Sequence, residues 1–143
     1  SIEHSGFAQA RDQLVPLQTL DSYQFEWVSL IKIDVEGHEY SVIEGAAKTI
    51  VSSRPAMLIE IEQRHIERPI AEVFEKILEF GFQGFFMGTQ GLTPLANFDV
   101  ARHQSMENFG PAKAPYINNF LFLRRARLKD GEYSALVSGQ LLK

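Results

Sequence analysis

Two hydrophobic periods alternate along the middle of the chain. Leu30, Ile31, Ile33 and Val35 make a β-branched apolar run interrupted by Lys32 and Asp34. Its length and composition predict a strand over residues 30–35. The period then changes. Val42, Ile43, Ala46, Ala47, Ile50 and Val51 fall on one stripe at helical spacing, which predicts a single helix over 39–53. Pro55 forces a stop just beyond it. Residues 57–62 read as a second strand. Pro69 suits the first turn of a second helix, whose face carries Ile70, Val73, Phe74, Ile77 and Leu78. Gly81 suits a left-handed stop for that helix. A short strand is predicted over 85–87, and "NFLFLR" at 119–124 predicts the last one.

The flanks are less regular. Residues 1–13 are polar and read as loop or frayed helix. Residues 14–20 read as an extended segment that Pro16 keeps out of a central ladder. Thr19 or Asp21 is expected to cap a helical turn running towards Gln24. Residues 88–118 hold most of the remaining Gly, Pro and Asn and read as one long connection, a length uncommon unless functional or flexible. The tail from Ala126 reads as a hairpin arm or a short helix.

Strand, helix, strand, helix, strand is the order of an α/β domain with crossover helices packed on the sheet. The 143 residues suit a single domain over 1–143. A hydrophobic share of 45% with 22% charged residues fits a soluble globular chain. No apolar run approaches the roughly 20 residues of a membrane span, so no membrane partner is expected. A net charge of −4 argues against a nucleic-acid partner, which needs a basic face. The compact basic group Arg124, Arg125, Arg127 and Lys129 reads as a solvated strand end. Zero cysteines exclude disulfides, thiolate zinc sites and a cysteine nucleophile. That fits a reducing compartment, and a cytoplasmic location is the expectation.

Ligands of open α/β sheets bind outside the carboxyl ends of the strands. Asp34 and Glu36 close the strand over 30–35, and Glu60 and Glu62 close the strand over 57–62. If the two strands are parallel neighbours, the four acids converge. Side chains alternate along a strand, so Lys32 shares a face with Asp34, and Leu58 with Glu60 and Glu62. A charge within a buried strand needs a partner, so Lys32 is expected to find Glu60 or Glu62. Gly37 can supply a positive φ or admit a ligand close to the backbone. His38 is a candidate general base near neutral pH, and His65 is a candidate residue on the same edge. Glu39 is read as a first-turn acid that complements the helix dipole. Gly45 is read as a site of close helix-to-strand packing. His4 and His103 carry no supporting neighbours. No H-E-x-x-H, nucleophile elbow or P-loop is present.

These residues resemble a known family. "TLDSY" at 19–23, "LIKIDVEGHEYSVIEGAAKTI" at 30–50, "RPAMLIEIE" at 54–62 and "NNFLFLRR" at 118–125 look like the C-terminal half of FkbM-type methyltransferases. The resemblance implies a partial Rossmann-like methyltransferase sheet, mostly parallel, with an antiparallel last strand. It implies S-adenosylmethionine as cofactor and O-methylation of a small-molecule or sugar hydroxyl. By resemblance, Asp34 falls near the transferable methyl group and the acceptor, with Glu36 and His38 on the acceptor side. The catalytic candidates are then Asp34, Glu36 and His38. Asp34 and Gly37 would face the cofactor, and Glu60, Glu62 and His65 the substrate. The family's glycine-rich cofactor loop and its ribose-holding acid have no counterpart in these residues. A sheet lacking that half exposes one strand edge, so a homodimer or domain-swapped assembly is expected.

Two other functions fit the residues. One is a non-catalytic α/β module that binds itself or a partner. The other is a metal-dependent hydrolase or nuclease, in which Asp34, Glu36, Glu60 and Glu62 offer oxygen ligands to Mg²⁺ or Mn²⁺.

Overall fold

A computed structural model describes residues 14–89, 91–108 and 115–137. The reading of 1–13 and the neighbours of His4 lie outside these. Five strands form one open sheet in the order β1-β2-β5-β3-β4. They are β1 (Leu30–Ile33), β2 (Ala56–Glu60), β3 (Phe82–Gly88), β4 (Gly91–Pro94) and β5 (Asn119–Arg124). Each of the four predicted strands is present, within a few residues of its expected bounds. Between them lie α1 (Glu39–Glu44), α2 (Ala47–Ser53) and α3 (Ile70–Glu79). Pro69 is the N-cap of α3, and Gly81 stops it at φ +86°.

The α/β class stands, but the mostly parallel sheet does not. β1 and β2 pair in parallel, while β2–β5, β5–β3 and β3–β4 are antiparallel. The cause is where β5 inserts. The α3 connection carries the chain from β2 past one strand position, so β2 and β3 run the same way without touching. β5 returns through that slot, antiparallel to both, as the last strand was expected to be. β4 adds a hairpin on the outside. The other outer strand, β1, has no partner on its far side among the described residues. The core lies under the middle of the sheet, where Met57, Ile59, Phe120 and Phe122 are fully buried. The Phe74, Phe98 and Phe120 rings meet edge to face there, at 4.8–5.7 Å between centroids.

The single helix over 39–53 is in fact two. The break falls at residues 45 and 46, and Asp21 makes it. The Asp21 N–H donates to the Gly45 carbonyl at 2.9 Å. The Asp21 carboxylate then accepts from the Lys48 N–H (2.9 Å), the Thr49 N–H (2.9 Å) and the Thr49 hydroxyl (2.8 Å). Asp21 therefore caps α2 from outside rather than its own 3-10 turn, Leu20–Tyr23, which has no side-chain cap. Gly45 is small for the same contact: a Cβ there would lie 3.2 Å from the Thr19 side chain, not against a strand. Burial pushes the Asp21 carboxyl up, but the hydrogen bonds from Thr49 and Lys48 outweigh it and hold its pKa below the usual value. Asp21→Ala should lower stability by ~1–2 kcal/mol, as loss of an N-cap does. An unchanged urea midpoint would mean that Asp21 does not hold α2.

The long connection over 88–118 is also more ordered than expected. It contains β4, 3-10 turns at Leu95–Asn97 and Met106–Asn108, and the short helix α4 (Val100–His103), capped by Asp99. β4 reads Gly-Leu-Thr-Pro, a poor strand sequence. It is tolerated because an outer strand can hold a proline. His103 is not isolated: its ring stacks on Phe98 at 5.4 Å. The tail forms α5 (Arg125–Lys129) and α6 (Ser134–Val137). The basic group there is structural. Arg124 and Arg125 donate to the Phe80 and Phe82 carbonyls, and Arg127 pairs with Glu132 at 3.2 Å.

Candidate active site

The parallel register sets Ile33 beside Ile59, so β1 and β2 end side by side. A cleft of about 290 Å³ opens at those ends. Asp34, Glu36, Glu60, Glu62 and His65 all line it, as the sequence predicted. Three further lining residues were not predicted: Glu39, Arg64 and Asn118. Lys32 sits beside the cleft, 3.7 Å from Asp34 and 3.9 Å from Glu60, so the expected pairing with Glu60 is present.

Glu62 is the best-held of the acids. Only 8% of the residue is exposed. It accepts from the Arg64 guanidinium, the Tyr116 hydroxyl (2.7 Å) and, at longer range, the Asn118 amide (3.4 Å). Burial pushes the Glu62 carboxyl up, but those donors and the Arg64 charge outweigh it, and its pKa lies below the ordinary value. Burial and the Glu62 charge push the Tyr116 phenol up to about 12. Asn118 also donates to Glu60 at 2.8 Å. Gln104 fastens the wall from behind. Its amide donates to the Ile61 and Ile117 carbonyls at 2.7 and 2.9 Å and accepts from the Gln63 N–H at 2.8 Å.

The turn between β1 and α1 runs through two left-handed residues, Glu36 at φ 44° and Gly37 at φ +103°. Gly37 thus has the positive φ expected of it. The group that approaches it is protein: a Cβ at Gly37 would lie 2.3 Å from the His65 carbonyl oxygen. His38 is the N-cap of α1, exposed, and lines the two neighbouring clefts rather than the acidic one. Glu39 turns back over the turn. Its Oε1 accepts from the Gly37 N–H at 3.0 Å. Its Oε2 is buried and, among the described residues, has no hydrogen-bond partner.

Among the described residues no group of three or more His, Asp or Glu is arranged to hold a metal ion. The network explains why: Glu60 and Glu62 are turned towards Asn118, Arg64 and Tyr116. The metal-dependent hydrolase therefore finds no ready site among the described residues. No described helix is long and apolar enough to cross a membrane.

The methyltransferase FkbM domain model matches residues 1–83, more than half of the chain. The chain belongs to that family. The FkbM match includes β1, α1, β2 and α3, and therefore every acid of the cleft. It ends inside β3, so the family likeness of β5 expected from "NNFLFLRR" lies outside it. No curated protein and no solved structure matches the chain.

The FkbM family implies S-adenosylmethionine, and the cleft suits one end of it. Five carboxylates and a buried carboxylate oxygen without a donor favour a positive group. All eight lining residues are polar or charged, so the cleft offers no apolar wall to an adenine ring. The residues fit the sulfonium end and the acceptor, not the adenosine.

Proposed function

We propose that this cleft is the acceptor side of an S-adenosylmethionine-dependent O-methyltransferase site. The observation that carries the reading is the convergence of Asp34, Glu36, Glu60 and Glu62 at the ends of two parallel strands in an FkbM-family chain. The acceptor is a small molecule or sugar with a free hydroxyl. When bound, the cofactor supplies an electrophilic methyl group. The chain's own residues hold the acceptor and take its proton.

Asp34 is suited to the proton. It is half exposed, at 53%, and among the described residues its ion-pair partner is Lys32, through one oxygen, so the other is open to the cleft. Lys32 orients it. Glu62, locked by Arg64 and Tyr116, is a rigid wall and not a base. Glu60 and Asn118 offer an acceptor and a donor to neighbouring hydroxyls of the substrate.

Asp34→Asn keeps the shape and removes the base. Methyl transfer to a hydroxyl acceptor should fall by about 10²-fold or more in kcat, with the melting temperature unchanged. A variant as active as the parent would take the base role from Asp34. Calorimetry with S-adenosylhomocysteine tests the wider reading: no binding would leave the family assignment as ancestry and favour the non-catalytic module.

A further inference from the structure

We propose that the ligand held in the acidic cleft carries a protonated amine, and that its N–H groups meet the open oxygen of Glu39. This rests on the reading of the cleft as the acceptor side, and it names the acceptor class: an amino alcohol such as an amino sugar.

Glu39 is 2% exposed, yet only one of its two carboxylate oxygens has a donor. A buried carboxylate oxygen without a donor is costly, and native structures rarely leave one so. Glu39 also lines the cleft, so the missing donor can arrive from there. No described side chain of the cleft, His65 included, donates to it. Arg64 is spent on Glu62, Asn118 on Glu60 and Glu62, and Lys32 on Asp34 and Glu60.

Charge then selects among donors. Five carboxylates face two permanent cations, Arg64 and Lys32, and one histidine, His65, so negative charge is in excess. A neutral hydroxyl would satisfy the hydrogen bond but not the charge. An ammonium satisfies both, and charge-assisted hydrogen bonds are about twice as strong as neutral ones. A metal cation lacks the required arrangement of ligands among the described residues. A sulfonium has no N–H or O–H to donate; the cofactor's α-ammonium does, and the separate S-adenosylhomocysteine titration distinguishes it from an amine on the acceptor. An anionic acceptor would be repelled.

The test uses two sugars of the same ring, glucosamine and glucose, titrated into the full chain at mildly acidic pH without cofactor. Glucosamine should bind and raise the melting temperature, and glucose should do neither. Glu39→Gln keeps an oxygen for the Gly37 N–H and removes the charge; glucosamine affinity should drop about tenfold or more. If that variant fails to fold, Asp34→Asn on the exposed side of the cleft should weaken glucosamine binding several-fold. Equal binding of the two sugars, full affinity in Glu39→Gln, or stabilisation by MgCl₂ but not by glucosamine would overturn the proposal. S-adenosylhomocysteine is titrated separately. Its binding without glucosamine binding leaves methyl transfer standing and removes the amine. Glucosamine binding without it does the reverse.

Discussion

Gly37→Ala should destabilise the protein by ~2–4 kcal/mol, among the larger effects of any single substitution in it. Two costs add. The first is backbone strain, because Gly37 lies at φ +103°, which an L side chain rarely adopts. The second is a collision, because the new Cβ would lie 2.3 Å from the His65 carbonyl oxygen. That oxygen belongs to the 3-10 turn Gln63–His65, which is tied by the His65 N–H to the Glu62 carbonyl at 3.1 Å. The turn cannot yield without displacing Arg64 and His65 from the cleft. Gly91 separates the two costs. It has nearly the same backbone, at φ +108°, but nothing within 4 Å of a Cβ. Gly91→Ala should therefore carry the strain alone, ~1–2 kcal/mol. Urea unfolding of both variants measures the difference. Equal losses would mean that the close approach of the two loops is absent. Methyl transfer should fall more in Gly37→Ala than its residual stability explains, since the cleft is built on both loops.

That pair of loops shows what could be read from the chain beforehand. Asp34, Glu36, Glu60 and Glu62 were legible because each depends on local information: a β-branched run, its length, and the rule that sites form at strand carboxyl ends. The positive φ at Gly37 was legible for the same reason. The partners across the cleft were not. Tyr116 and Asn118 reach Glu62 over more than fifty residues of chain, and no period or motif joins them. Gln104 sits in a stretch whose Gly, Pro and Asn content reads as loop, yet it ties the chain just after β2 to the chain just before β5. Glu39 does not stand out in the sequence, since a first-turn acid has an ordinary explanation in the helix dipole. What marks it is burial, which depends on the packed fold. The break at Gly45 escaped for a related reason. The apolar stripe from Val42 to Val51 is continuous, and only the distant Asp21 interrupts the backbone beneath it. The sheet misled in one respect. The resemblance implies a mostly parallel sheet, but β5 inserts between β2 and β3, antiparallel to both, and leaves one parallel pair.

Glu62→Ala should cost ~2–4 kcal/mol at neutral pH, because it removes a buried acceptor that three donors share. The pH dependence distinguishes this from simple loss of packing. The folded-state pKa of Glu62 lies below its unfolded value near 4.5. Its contribution is therefore complete above that value and fades as pH falls through the lower, folded one. Parent and variant should converge in stability on acidification, with the remaining acid sensitivity due in part to Asp21, whose pKa is also lowered. Tyr116 gives the opposite limb. Its phenol titrates near 10 when unfolded and at about 12 when folded. A raised acid pKa stabilises below the unfolded value and loses that contribution as pH rises from about 10 to about 12. In Glu62→Ala burial still raises it, but the share due to the Glu62 carboxylate is gone. One of the four tyrosines should then ionise earlier in a phenolate absorbance titration. Tyr116→Phe should remove that signal from the parent and the shift from the variant. A constant stability gap across the acid range, with an unmoved tyrosine titration, would mean that Glu62 acts by bulk alone. The contrast with Asp34 follows from the same chemistry. An acid held by three donors below its ordinary pKa is a poor proton acceptor. The cleft therefore holds Glu62 fast with donors and leaves Asp34 an oxygen open to react.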